Sequence, residues 1–82
     1  MARVNANMTK FGERVREIRH ELGLTQGQVA ERVGVKERTL GSWETGDREP
    51  SLEMVRRIVI ALNCDANYLL GVVGYDGVRV EE

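Results

Sequence analysis

The chain has 82 residues, of which 41% are hydrophobic and 30% charged, and 12 basic against 13 acidic residues give a net charge of −1. This length and composition predict one small globular domain and exclude both a disordered chain and a second domain. A net charge so close to zero does not exclude binding to nucleic acid, because local basic groups can still contact phosphates, but it predicts weak non-specific affinity.

An apolar stripe predicts the first helix. Four apolar residues recur at intervals of four, three and four residues: Phe11, Val15, Ile18 and Leu22. This spacing places them on one face of a helix that extends from about residue 9 to residue 22, where Gly23 ends it.

The segment LGLTQGQVAERVGVKERTLGSWETG, residues 22 to 46, predicts two short helices that cross. Thr25 and Gln28 have the spacing of a capping box for a helix that extends to about Val33. Ala30 is small where the two helices approach most closely, and Gly34 can adopt the positive φ that ends the helix abruptly.

The second of these helices is expected from Lys36 to Thr45, and Gly46 stops it. Five apolar residues close the angle between the two helices: Val29, Val33, Val35, Leu40 and Trp43. Two helices joined by a short turn that contains glycine form a helix-turn-helix, whose second helix lies in the major groove of DNA.

Two further helices and a hairpin are predicted after this motif. Ser51 is a natural N-cap for a fourth helix, and Asp65 for a short fifth helix that ends at Gly71. Five residues of the fourth helix are expected to face the core: Leu52, Val55, Ile58, Val59 and Leu62. Around Asp76-Gly77, which suits a two-residue turn, valines predict a short β-hairpin within residues 72–82.

The residue types that metal sites, disulfides and catalysis need are scarce. Cys64 is the one cysteine and His20 the one histidine. We therefore expect no metal site, no cofactor, no small-molecule ligand and no enzyme activity. The N-terminus lacks the apolar run of a secretory signal, and the apolar run from Ile58 to Leu62 is too short to span a membrane, so we expect a cytoplasmic protein.

Taken together, these motifs resemble the Cro and lambdoid phage repressor type of helix-turn-helix, also called the xenobiotic response element family. The resemblance covers residues 9–71, between an N-terminal arm (residues 1–8) and a C-terminal tail (residues 72–82). It is carried by Leu22-Gly23-Leu24-Thr25-Gln26, Val29-Ala30, Gly34-Val35, Leu40-x-x-Trp43-Glu44-x-Gly46, Pro50 and Tyr68-Leu69-Leu70-Gly71. The resemblance implies an all-α fold, a compact five-helix bundle of the lambda repressor kind, and a homodimer that binds a palindromic operator in double-stranded DNA.

The same resemblance implies three sets of functional residues. The positions that contact bases are Lys36, Glu37, Arg38 and Ser42. Those that contact phosphates are Thr25, Gln26, Thr45 and Arg48. Arg19 and Glu44 match a pair that ties the first helix to the end of the third. The base contacts are chemically reasonable, because Arg or Lys can donate to guanine and Glu can accept from the cytosine amino group.

Some of these positions have another explanation or depart from the family pattern. Capping alone explains Thr25, and a charged run at a helix start is also typical of a solvated face. Asp47 and Glu49 flank Arg48 where relatives often carry several basic residues. Gly41 lies inside a helix at a cost of about 1 kcal/mol, either to allow close approach to the sugar-phosphate backbone or because it is tolerated.

The function expected from the sequence is that of a sequence-specific DNA-binding transcription regulator, a repressor that acts as a dimer. The alternative is a protein-interaction module of the same fold, such as an antitoxin-like or regulator-binding protein. The acidic bias from Glu49 onward and the valine-rich tail favour considering it.

Overall fold

The computed structural model describes residues 10–72 and 78–79. Within these residues there are five helices: α1 (Phe11–Glu21), α2 (Gln26–Val33), α3 (Glu37–Thr45), α4 (Leu52–Leu62) and α5 (Ala66–Leu69). The predicted all-α bundle of five helices is therefore confirmed. None of the described helices is long and apolar enough to cross a membrane.

The helices begin and end where local chemistry predicts. The capping box at α2 is complete, because the Gln28 N–H donates to Thr25 Oγ1 at 3.1 Å and the Thr25 N–H donates to Gln28 Oε1 at 2.8 Å. Gly34 ends α2 with a φ of +93°. Helix α3 begins one residue later than predicted, because Lys36 has an extended backbone and is its N-cap.

The core is assembled from all five helices. It consists of Val15, Val29, Ala30, Val33, Leu40, Trp43, Ile58, Leu62 and Leu69, with Phe11, Ile18, Val35 and Val59 partly buried against it. Two residues expected in the apolar stripes are exposed instead. Leu52 is 88% exposed because it is the first residue of α4, and Leu22 is 49% exposed because it lies beyond the last turn of α1 as its C-cap.

One close approach between helices involves a residue that no sequence pattern indicated. A Cβ atom added at Gly12, near the start of α1, would lie 2.3 Å from the Trp43 carbonyl oxygen and 2.4 Å from the Glu44 carbonyl oxygen. The N-terminal end of α1 thus contacts the C-terminal end of α3 directly, an arrangement that the opposite partial charges of helix ends favour. Only glycine fits at this position.

The short helix α5 is anchored to α1 through Tyr68. The guanidinium of Arg14 lies over the Tyr68 ring, 5.2 Å from its centroid, and the Tyr68 hydroxyl donates a hydrogen bond to the Glu17 carboxylate. Burial and the neighbouring Glu17 raise the pKa of the Tyr68 phenol. The hydroxyl therefore keeps its proton and donates throughout the neutral pH range.

The predicted C-terminal hairpin lies largely outside the described residues. Of its residues the structure describes Val72, Val78 and Arg79, and Arg79 takes part in a β-bridge.

Two helical glycines are predicted to respond oppositely to alanine. Gly12→Ala forces α1 and α3 apart against backbone atoms that cannot move alone, and we expect it to lower the free energy of unfolding by about 3 kcal/mol. At Gly41 an added Cβ would lie 3.5 Å from Gln26 Oε1, which is an ordinary contact. Gly41→Ala should therefore raise the free energy of unfolding by about 0.5–1 kcal/mol.

Urea denaturation of both variants checks this pair of expectations. A Gly12→Ala chain as stable as the parent would contradict the close approach of α1 and α3.

Candidate nucleic-acid interface

A buried ion pair connects α1 to α3. Arg19 Nε donates to Glu44 Oε2 at 2.7 Å, and an Arg19 Nη donates to Glu44 Oε1 at 3.1 Å. The two residues are only 8% and 7% exposed. The other Arg19 Nη donates to the Leu24 carbonyl oxygen at 3.0 Å, so the same guanidinium also fixes the segment between α1 and α2. The structure thus brings together the two residues that the family resemblance paired.

The same carboxylate also binds α2. Gln26 Nε2 donates to Glu44 Oε1 at 2.9 Å. A carboxylate only accepts, so the Gln26 amide must turn its nitrogen toward Glu44, and its Oε1 and second N–H remain for another partner. The Gln26 side chain also lies against Gly41 of α3. Gln26 is therefore held at the junction of α2 and α3 by a group in the protein interior.

The side of α3 that faces away from the core carries three of the predicted contact residues. The buried side of α3 consists of Leu40, Trp43 and Glu44. Arg38, Ser42 and Thr45 are spaced by four and three residues, which places them on the opposite side of the helix. Arg38 is exposed, and among the described residues it forms no salt bridge. Lys36 is also exposed, beside the start of α3.

The hydroxyl groups of this region differ in which hydrogen bonds they can still form with a ligand. Ser42 Oγ donates to the Thr39 carbonyl at 2.7 Å, so it can still accept from a base amino group. Thr25 Oγ1 accepts the capping bond, so its own proton can still be donated to a phosphate. Thr45 Oγ1 donates to the Ser42 carbonyl at 3.2 Å and accepts from the Asp47 N–H at 3.4 Å. A phosphate contact by the Thr45 hydroxyl would therefore require it to give up the Ser42 bond.

Glu37 lies apart from this outward stripe. Its side chain reaches the first turn of α2, where a Cβ added at Gly27 would lie 3.3 Å from Glu37 Oε1. Arg48 is exposed in the loop that follows α3, and its backbone N–H donates to the Ser42 carbonyl at 3.2 Å.

We call the N-terminal turn of α2, the outward side of α3 and the loop through Glu49 the α2–α3 surface. Its side-chain charges nearly cancel, since the cations Lys36, Arg38 and Arg48 lie among the anions Glu37, Asp47 and Glu49. Three features of this surface escaped the sequence analysis: the bond between Gln26 and Glu44, the Gln26 contact with Gly41, and the Glu37 contact with Gly27. The one local signal was Gly27 in the first turn of α2, because glycine is unfavourable in a helix unless a close contact requires it.

Residues 15–69 match the model of a helix-turn-helix family. The chain belongs to this family, and the predicted resemblance to the Cro and lambdoid phage repressor type is confirmed.

Two relatives illustrate the membership. The chain is 42% identical over 65 residues to an HTH-type transcriptional regulator of Methanothermobacter thermautotrophicus, a match that covers 79% of this chain and 94% of that protein. It is 34% identical over 64 residues to the repressor protein C2 of Salmonella phage P22, covering 78% of this chain but 30% of the repressor. The prediction of a DNA-binding transcription regulator is thereby confirmed at the level of the family.

Three solved structures match the fold of most of this chain. The restriction-modification controller protein C.AhdI of Aeromonas hydrophila superposes with a TM-score of 0.73 at 34% identity, over 79% of this chain and 98% of that one. The P22 c2 repressor in complex with a synthetic operator superposes with a TM-score of 0.69 at 35% identity, over 73% of this chain and 91% of that one. Hydroxypropylphosphonic acid epoxidase from S. wedmorenis gives 0.71 at 26% identity, over 90% of this chain but only 41% of the enzyme.

Breaking the buried ion pair should be costly. Arg19→Ala or Glu44→Ala leaves a buried charge without its partner, and we expect a loss of about 3–5 kcal/mol in the free energy of unfolding. The exposed pair of Arg57 and Glu53, 3.1 Å apart, is the matched control. Arg57→Ala should cost less than about 1 kcal/mol, because solvent screens that pair.

Thermal denaturation of both variants measures the difference. If the Arg19→Ala chain melts at the same temperature as the Arg57→Ala chain, the buried pair contributes no more to stability than the surface pair.

Proposed function

We propose that this chain is a repressor that binds a specific DNA sequence, with α3 in the major groove and the N-terminus of α2 on the phosphate backbone. One observation carries the proposal: Arg38 and Ser42 lie on the outward side of a helix that a buried network ties rigidly to α2. Recognition requires side chains whose polar end groups are accessible and whose backbone is held in place. A loosely held side chain loses conformational entropy on binding, which weakens the affinity.

The chemistry of the individual residues gives each a role. Arg38 can donate to guanine O6 and N7, while Ser42 can accept from the amino group of cytosine or adenine. Thr25 and Gln26 lie where the free N–H groups of α2 favour a phosphate. The similarity to the P22 c2 repressor, which was solved in complex with a synthetic operator, supports DNA as the ligand.

A dimer is part of the proposal. One recognition helix reads only a few base pairs, whereas a two-fold dimer places two such helices in successive major grooves about 34 Å apart. Such a dimer would bind a palindromic operator.

Regulation without catalysis fits the family better than enzyme activity. The epoxidase similarity covers less than half of that enzyme, so its activity is not carried over to this chain.

The near-neutral charge of the α2–α3 surface is the observation that favours the second candidate, a module that binds protein. The two candidates differ in their response to salt, because DNA binding releases counterions and an apolar protein interface does not.

Selection of bound sequences from random duplex DNA tests the roles of the side chains. Arg38→Ala should relax the preference at one base pair in each half-site and weaken binding by about 1–3 kcal/mol. Arg16→Ala removes the same charge from an exposed position on α1. This control should select the same sequence as the parent. If the Arg38→Ala chain keeps the parental sequence and discrimination, Arg38 does not read a base.

Sedimentation tests the dimer and the contribution of residues 72–82. The parent should sediment as a dimer at micromolar concentration, and a chain truncated after Gly71 should be mostly monomeric, because the hairpin that the sequence predicts for the tail would have open strand edges that can pair across the two-fold axis. The truncated chain should keep the parental helix content by circular dichroism. Unchanged dimerisation and operator affinity would exclude the tail from the interface.

A further inference from the structure

Glu37 occupies an electrostatically favourable position between two helix ends. It is the first residue of α3, and its carboxylate also lies against Gly27 in the first turn of α2. The N-terminal end of a helix carries a partial positive charge, and the carboxylate lies near two such ends, which favours its negative charge. Among the described residues Glu37 has no salt bridge to a basic side chain.

The contact depends on Gly27. A Cβ added there would lie 3.3 Å from Glu37 Oε1 and 3.7 Å from Glu37 Cδ, closer than most side-chain contacts. Glycine in a helix costs about 1 kcal/mol relative to alanine. Gly27 thus leaves room for the carboxylate at the first turn of α2.

This location is the one that a DNA phosphate needs. In the proposed function Thr25 and Gln26 bind a phosphate at the start of α2, within reach of the same first turn. A carboxylate there repels the phosphate, and two like charges a few ångströms apart repel strongly where solvent is partly excluded. DNA can therefore bind closely only if the Glu37 side chain leaves α2.

The hydrogen bonds that the Glu37 carboxylate gains when it leaves α2 depend on the DNA sequence. A carboxylate can accept a hydrogen bond from a cytosine or adenine amino group that lies within its reach in the major groove, whereas it is repelled where a guanine or thymine acceptor atom occupies that position. A cognate sequence replaces the interactions that the carboxylate loses at α2, and a non-cognate sequence does not.

We propose that Glu37 determines specificity by repulsion: its carboxylate occupies the start of α2 and blocks the DNA backbone unless a base amino group draws it into the major groove. This inference rests on the proposed function and adds a residue that discriminates by weakening the wrong complexes. It also explains why a surface proposed to bind DNA carries an acidic residue where a neutral one would bind the backbone better.

The test compares Glu37→Gln with Glu31→Gln. Both changes remove one negative charge from an exposed side chain, but Glu31 lies further along α2, one turn beyond Gly27. Affinities for the duplex that the parent selects and for a scrambled duplex of equal length are measured by fluorescence anisotropy at 50 and 150 mM salt.

For Glu37→Gln we expect the affinity for the scrambled duplex to rise about tenfold at low salt, the scale of one removed charge repulsion. The affinity for the selected duplex should rise less or fall, so the ratio of the two affinities decreases. Glu31→Gln should change both affinities by a similar small factor and leave the ratio unchanged. In amide NMR spectra of the free chain, Glu37→Gln should shift the resonances of Gln26 and Gly27, and Glu31→Gln should shift them less.

Each result decides the proposal. Unchanged or weaker binding of Glu37→Gln to the scrambled duplex overturns it, as do unshifted Gln26 and Gly27 amides or an equal effect of Glu31→Gln. A parent that selects no sequence overturns the proposed function instead. The scrambled-duplex affinity of the two variants then still decides whether Glu37 repels the DNA backbone.

Discussion

The carboxylate of Glu44 is the group on which the arrangement of the first three helices depends. It accepts two hydrogen bonds from Arg19 of α1 and one from Gln26 of α2, while it belongs to α3 itself. A buried carboxylate requires such partners, because an unpaired buried charge is strongly unfavourable. The three helices can therefore meet in few ways other than the one observed.

This network does not have to add much net stability to matter. A buried ion pair loses hydration that its own attraction only partly replaces, so an apolar substitute is often as stable. What the pair provides here is placement: Arg19 also holds the Leu24 carbonyl, and Glu44 orients the Gln26 amide at the protein surface. The close approach of Gly12 to the end of α3 acts in the same direction, since it places the start of α1 directly beside the backbone of α3.

The α2–α3 surface therefore has a backbone that the hydrogen bonds of Glu44 hold in place and side-chain charges that nearly cancel. A protein that relies on basic side chains for affinity binds any duplex and loses affinity steeply with salt. A surface on which Lys36, Arg38 and Arg48 are balanced by acidic neighbours gains little from the phosphate charge as such. Its binding must depend on well-placed donors and acceptors, which is the condition under which base sequence matters most.

Local patterns predicted much of this architecture. The Thr25 capping box, the Ser51 and Asp65 caps and the positive φ of Gly34 follow from residue types a few positions apart, and the apolar periodicity located the core. Leu52 was assigned wrongly because periodicity gives the direction of a side chain but not whether the bundle extends far enough to cover it. The position of Arg19 near Glu44 came from a family resemblance and not from spacing.

The contacts that could not be predicted join residues far apart in the chain. Gln26 and Glu44 are 18 positions apart, and Gly12 contacts residues 43 and 44. Nothing near Glu37 in the sequence indicates that its carboxylate lies against α2. Such contacts depend on the angle between two helices. A small error in a predicted helix boundary changes the predicted angle, so these contacts could not be derived from the sequence.

The most direct test of the account is to map amide chemical shifts of the labelled chain on addition of its selected duplex. We expect the largest changes in the first turn of α2 and along the outward side of α3, at Gln26, Gly27, Arg38, Gly41 and Ser42, with little change in α5. Saturable binding with the largest changes in α4 and α5 would contradict it, because the α2–α3 surface would then not be the one that contacts DNA.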